Sequence, residues 1–189
     1  MSQDSYTVLL VSDDNKTISL LKAFLVQPVF DLKVIDDFYE ASRLSETRSF
    51  DFIIADSTDS GAIDFSVNVS DGEATVLLLV PQENFEEVSY RVENYGVLTV
   101  SKPLEAQSFY ATIKIAIAVH HKIKLLSNET VKLKNKMEEI RIINKAKLLL
   151  VEKRKMTEDE AHHYLEKQAM DSGKKRIAVA QDTIVELEE

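Results

Sequence analysis

The chain has 189 residues, 44% of them hydrophobic, a formal net charge of −9 and no cysteine. That is enough apolar material for one cored domain plus a smaller unit, and the lack of Cys excludes disulfide scaffolds and thiolate metal sites. No run of about 18 apolar residues occurs, and no basic stretch followed by an apolar one opens the chain. Neither a membrane span nor a secretory signal is therefore expected, and the expected location is cytoplasmic. The charge divides unevenly: residues 1–105 carry −12 and residues 106–189 carry +3. Without the acidic residues after Gln181, the second span reaches +7. An acidic first part and a basic second part point to two jobs, the second facing a polyanion.

Tyr6–Ser12 is a short apolar run read as a buried strand, followed by Asp13, Asp14 and an amphipathic helix with Ile18, Leu21, Phe24 and Leu25 on one face. Residues 32–35 read as a second strand, 38–48 as a second helix and 52–55 as a third strand ending on Asp56. Residues 57–73 show no clear period and read as loop with at most a weak helix. A fourth strand at 75–80, a helix at 85–94 and a fifth strand at 97–101 complete the series, which runs into Lys102-Pro103. Five strands alternating with helices predict a doubly wound α/β fold with a five-stranded parallel sheet, covered on both faces.

In such sheets functional groups gather at the carboxyl ends of the strands. Asp13 and Asp14 follow the first strand, Asp56 the third and Lys102 the fifth. Converging carboxylates repel unless a divalent cation or an ammonium group offsets them, and Mg²⁺ suits oxygen ligands. A carboxylate beside such groups can attack a phosphoryl group. Taken singly, an Asp after a strand is more often a helix cap or turn residue.

This set, over roughly residues 5–104, resembles the receiver domain of bacterial response regulators. The resemblance implies a flavodoxin-like fold, Asp56 as phosphoacceptor, Mg²⁺ held by Asp13, Asp14 and Asp56, and Lys102 on the phosphoryl group. The chain departs from that pattern at Val80, where receivers carry Thr or Ser, and at Thr99, where they carry an aromatic switch residue. The Pro usual after the phosphoacceptor is absent from residues 57–61. Val80 cannot donate a hydrogen bond to a phosphoryl group. Two inputs stay open: phosphorylation of Asp56 by a sensor histidine kinase, or a degenerate receiver that docks a sequestering protein.

From about Glu105 into the 140s no Gly or Pro interrupts the chain. Val119, Ile123, Leu126, Thr130, Leu133, Met137, Ile140 and Asn144 alternate at spacings of four and three, the repeat of a coiled coil. The first seven form the expected seam of a parallel homodimer, with Thr130 and Asn144 as polar core positions that fix register. The expected partition is 1–104 for the sheet domain, 105–140 for the last sheet helix and coiled-coil linker, and 141–189 for an all-α three-helix bundle.

In that last part, Ile142, Ala146, Leu149 and Leu150 form an inner face, and Thr157 with Glu160 forms a capping box that starts a second helix. Gly173 stops that helix, and Ile177, Ala180, Ile184 and Leu187 make the stripe of a third. His120-His121 and His162-His163 are adjacent pairs that point about 100° apart on a helix, so neither chelates a metal. They are read as surface or partner-facing.

The run A-K-x-L-L, then E-A-H-x-x-L, Q-A-M, a basic patch and I-A-x-x-I/V resembles the ANTAR domain of bacterial transcription antitermination regulators over about 141–185. It looks most like that of the aliphatic-amidase and ethanolamine-utilisation regulators. Leu148 departs from the Gly that many members carry. The resemblance implies binding to paired stem-loops in nascent leader RNA and prevention of termination. Lys153, Arg154 and Lys155 add to the basic groups at the exit of the first helix; Arg141, Lys145, Lys147, Lys174, Lys175 and Arg176 are the candidate phosphate contacts, and Asn144 and Gln168 the candidates for base edges. Without the resemblance, these cations would read as a solvated face. The competing reading is a DNA-binding response regulator. No nucleophile–base pair or Gly-rich phosphate loop appears, so no enzymatic activity is expected.

Overall fold

The computed structural model describes residues 5–56 and 60–188. Its strands are β1 (Tyr6–Val11), β2 (Phe30–Ile35), β3 (Phe52–Asp56), β4 (Thr75–Pro81) and β5 (Leu98–Lys102). Helices α1 (Asn15–Phe24), α2 (Phe38–Thr47), α3 (Ser60–Ser70) and α4 (Phe85–Val92) alternate with them. Then come α5 (Ala106–Arg154), α6 (Glu158–Ser172) and α7 (Arg176–Glu188). The chain divides into two compact units between Leu125 and Leu126, inside α5.

In the first unit all strand pairs are parallel, in the order β2-β1-β3-β4-β5. This is the expected doubly wound sheet. The central strands are apolar on both faces because helices cover both. Alternate residues separate into two cores. Leu9, Val11, Ile53, Ala55, Leu78 and Val80 pack in one with Ala41, Ala62, Phe65 and Val88 of α2, α3 and α4. Val8, Leu10, Ile54, Leu77 and Leu79 pack in the other with Leu21 of α1 and Phe109, Ile113 and Ala116 of α5. The first turns of α5 thus close the sheet domain, as its apolar spacing requires.

Two differences from the sequence reading have physical causes. Residues 60–70, read as loop with at most a weak helix, form α3, while 57–59 lie outside the described residues. Ile63, Phe65, Val67 and Val69 alternate with polar residues at period two, which hides a helix. Ala62, Ile63, Phe65 and Ser66 are the buried set, a helical spacing that the tertiary contacts select. His120, read as surface or partner-facing, is only 5% exposed. Its Nε2 lies 3.3 Å from Asp51 Oδ1. Asp51 Oδ2 accepts from the Thr7 N–H and hydroxyl at 2.8 and 2.9 Å. Burial pushes the His120 pKa down, against the opposing pull of Asp51. His121 is exposed and hydrogen-bonds the Tyr6 hydroxyl through Nε2 at 2.9 Å.

In the second unit Ile143, Ala146 and Leu150 of α5, Ala161 and Leu165 of α6, and Val179 and Ala180 of α7 form one core. Ile143 replaces Leu149 in the expected inner face. The capping box is present: Thr157 accepts from the Glu160 N–H, and the Glu160 carboxylate accepts from Thr157. Gly173 ends α6 at φ 64°, where a Cβ would be strained. Along the expected seam, Ile123, Leu126, Leu133, Met137 and Ile140 are 43–70% exposed and Val119 is partly buried. Thr130 is exposed and its hydroxyl donates to the Leu126 carbonyl.

Candidate functional site

Asp56 closes β3 at the carboxyl edge of the sheet and is 4% exposed. Burying a carboxylate requires partners for both oxygens. Lys102, at the end of β5, donates to Oδ1 and makes an ion pair there. The Ser12 hydroxyl donates to Oδ2 at 2.9 Å and accepts from the Asp14 N–H at 3.1 Å. Ser12 was absent from the expected site set. The signal was its place as the single polar residue ending an apolar strand, one residue before Asp13.

Asp13 is exposed and, among the described residues, makes no hydrogen bond or ion pair. Asp14, expected beside it as a metal ligand, is the N-cap of α1. It accepts from the Lys16 N–H at 3.1 Å, the Thr17 N–H at 3.2 Å and the Thr17 hydroxyl at 2.7 Å. The Thr17 hydroxyl, then the Lys16 and Thr17 N–H groups, hold its pKa below the usual carboxylate value. Among the described residues no three His, Asp or Glu side chains converge as a metal cluster. Asp13, Asp14 and Asp56 are the carboxylates near these strand ends, Asp14 being also the cap of α1, and oxygen donors of this kind suit a hydrated Mg²⁺.

Val80, fully buried at the end of β4, presents no hydroxyl to this edge. The Thr99 hydroxyl is shared with the Ser89 hydroxyl of α4 at 2.7 Å. A small side chain bonded to α4 has no swing comparable to that of an aromatic ring. Ser101 donates to the Gln82 side chain.

The second candidate surface lies on the bundle. Asn144, Lys147, Leu148, Val151 and Glu158 line a cleft of about 400 Å³. Asn144 in this lining is exposed, whereas Gln168, also exposed, lies outside it on α6. Lys147 pairs with Glu158 at 2.9 Å, and that lysine is the first cause holding the Glu158 pKa down. The other expected phosphate contacts are mostly paired too. Arg141 reaches Glu138 at 3.5 Å, Lys145 reaches Glu188 at 2.7 Å, Lys174 reaches Asp182 at 2.7 Å and Arg176 reaches Glu166 at 3.3 Å. Lys175 is exposed and makes no ion pair among the described residues. His162 and His163 both approach Glu166, at 3.1 and 3.6 Å.

Arg154, one of the basic groups at the exit of the first bundle helix, is held by two neighbours. It pairs with Glu186 at 2.5 Å, donates to the Tyr164 hydroxyl at 2.9 Å and lies 5.3 Å over the Tyr164 ring. The Tyr164 hydrogen bond leads the causes that raise its pKa. Tyr164 therefore belongs to the wall of the bundle, packed against its core.

The family profile described as the ANTAR domain matches residues 131–184. The chain is 24% identical over 147 residues to the transcriptional regulatory protein PdtaR of Mycobacterium tuberculosis, covering 75% of this chain and 72% of that one. The fold matches the signal receiver domain of an HD domain-containing protein from Pseudomonas fluorescens Pf-5. That match has a TM-score of 0.58 at 18% identity and covers 66% of this chain and 95% of that chain. The Vibrio cholerae chemotaxis protein CheY4 matches with a TM-score of 0.51 at 19% identity, over 59% of this chain and 98% of that chain. These structural likenesses establish the fold of the first unit.

Proposed function

We propose that this chain, a response regulator with a receiver-type fold and an ANTAR domain, binds paired hairpins in nascent leader RNA and so prevents transcription termination. The observation that carries this reading is the match of residues 131–184 to the ANTAR domain, on a bundle where Lys147 lines a cleft beside Asn144 and Leu148. Asn144 and Leu148 offer an amide and an apolar surface to an unstacked loop base, while Lys147, Lys175 and their neighbours meet phosphates. The exposed stripe Ile123–Ile140 on α5 supports a parallel homodimer, which matches two bundles to two hairpins.

The input would reach the Asp56 pocket. A phosphohistidine on a sensor kinase would pass its phosphoryl group to Asp56: an O–P bond forms as the N–P bond breaks, and the histidine leaves as neutral imidazole, keeping the proton already on its other ring nitrogen. Lys102 would shift from the free carboxylate to the phosphoryl oxygens. Asp13, Asp14 and Asp56 would hold Mg²⁺, which offsets the charge of the incoming group. A second reading, an adapter controlled by a docking protein without phosphorylation, is favoured by Val80 and by the Thr99–Ser89 bond. Incubation with acetyl phosphate and Mg²⁺ followed by intact-mass measurement separates the two. An added phosphoryl mass lost in Asp56→Asn supports phosphorylation, and an unchanged mass supports docking.

Among the described residues no helix is long and apolar enough to cross a membrane, and the proposed site of action is the cytoplasm. The chain acts in this account as a regulator and not as an enzyme. Gel shifts with a two-hairpin leader RNA against duplex DNA of equal length test the central step. Tighter binding to the hairpins is expected, and preference for duplex DNA would instead support a DNA-binding regulator.

A further inference from the structure

The bundle carries its charges against its own helix electrostatics. Helix α7 begins at Arg176, directly after Lys174 and Lys175, and ends on Glu186 and Glu188, the reverse of what the helix dipole favours. Asp182 and Glu186 sit four residues apart, where like charges repel. Helix stability alone would select the opposite arrangement, and cross-helix pairing offsets the conflict. Glu188 takes Lys145, Glu186 takes Arg154 and Asp182 takes Lys174. Three carboxylates on one helix thus hold three cations drawn from α5 and from the turn before α7.

We propose that Asp182, Glu186 and Glu188 act as an internal competitor for RNA, occupying the cations that would otherwise meet phosphates, and so set the affinity and selectivity of the bundle. This inference rests on the RNA-binding reading above. All three pairs are solvent-exposed, with side-chain exposures between 31% and 64%, so they exchange readily and do not lock the fold. A hairpin that also fills the Asn144 cleft has contacts enough to displace the carboxylates. A generic polyanion, which offers phosphates alone, does not. The released carboxylates then recruit cations from solution, which lowers the net counter-ion release on binding.

The test uses the full chain with three neutral substitutions, D182N/E186Q/E188Q, against a charge-matched control, E139Q/E152Q/D171N. The control residues make no ion pair among the described residues. Affinity is measured for a two-hairpin leader RNA and for an unstructured RNA of equal length, across a salt series. The first variant is expected to bind hairpin RNA about tenfold more tightly, against about twofold for the control. Its salt dependence should be steeper by about 1 to 2 in log–log slope. Its preference for hairpin over unstructured RNA should fall. E188Q alone, at the last residue of α7, should give about a twofold gain and guards against a folding defect in the triple variant. Equal gains in the triple variant and the control, with wild-type binding intact, would overturn the competitor and leave the RNA reading standing. Folded wild-type and variant proteins that both ignore hairpin RNA would overturn the RNA reading and the competitor with it.

Discussion

The Asp56 pocket and the bundle surface use the same carboxylate–cation pairing in opposite environments. Asp56 is almost wholly buried, its side chain 2% exposed, and both its oxygens are taken by Lys102 and Ser12. On the bundle, Lys145–Glu188 and Lys174–Asp182 are about half in water. Removing one partner of a buried pair strands a desolvated charge, whereas an exposed pair is screened and worth little. Breaking the pair in the first unit is therefore costly, while the pairs in the second exchange with solvent ions at little cost. That division fits the proposed roles of the two sites, an input pocket and a polyanion-binding surface.

The comparison breaks most visibly at Lys102. Lys102→Ala should cost about 3 kcal/mol in chemical denaturation of the first unit, since Asp56 keeps only the Ser12 hydroxyl. A loss below about 1 kcal/mol would place Lys102 with the exposed pairs. Thr157→Ala, which removes the α6 capping box, should cost the bundle about 1 kcal/mol. Lys147→Gln should change bundle stability by less than about 0.5 kcal/mol while weakening RNA binding, because its pair with Glu158 is exposed on the acid side.

His120 sharpens the same contrast by pH. Its folded pKa lies below the usual 6.5, so between the two values the unfolded chain binds the extra proton. Stability should therefore rise with pH through that window and be lost as pH falls below about 6.5. Asp51, Lys124 and His121 are the charged or titratable groups that act on it. Unfolding free energies of wild type and His120→Leu, followed from pH 7.5 down to 5, should diverge in slope. Parallel curves would show that His120 does not titrate with unfolding.

The parallel sheet was legible because buried strands such as residues 75–80 are apolar throughout and separated by turn residues. The bundle was legible because Thr157, Glu160 and Gly173 act locally, through caps and backbone conformation. What stayed hidden depends on contacts between distant residues. The period-two pattern of residues 63–69 gave way to tertiary packing, and the burial of His120 follows from Asp51 on β3's approach. Asp14 looked equivalent to Asp13 in the sequence, yet one caps a helix and the other stands free. Ser12 and Arg154 gained their roles from partners 44 and 32 residues away. The cations of the bundle were visible as charges, but their pairing with α7 was not, because two of the pairs join α5 to α7 across the bundle.

The most direct test of the account is sedimentation of the full chain titrated with a leader RNA of two hairpins. Two bundles on two hairpins predict a complex of two protomers per RNA, lost together with tight binding in Leu133→Pro, which breaks the exposed stripe of α5. A single protomer that binds the same RNA as tightly, unaffected by Leu133→Pro, would contradict it.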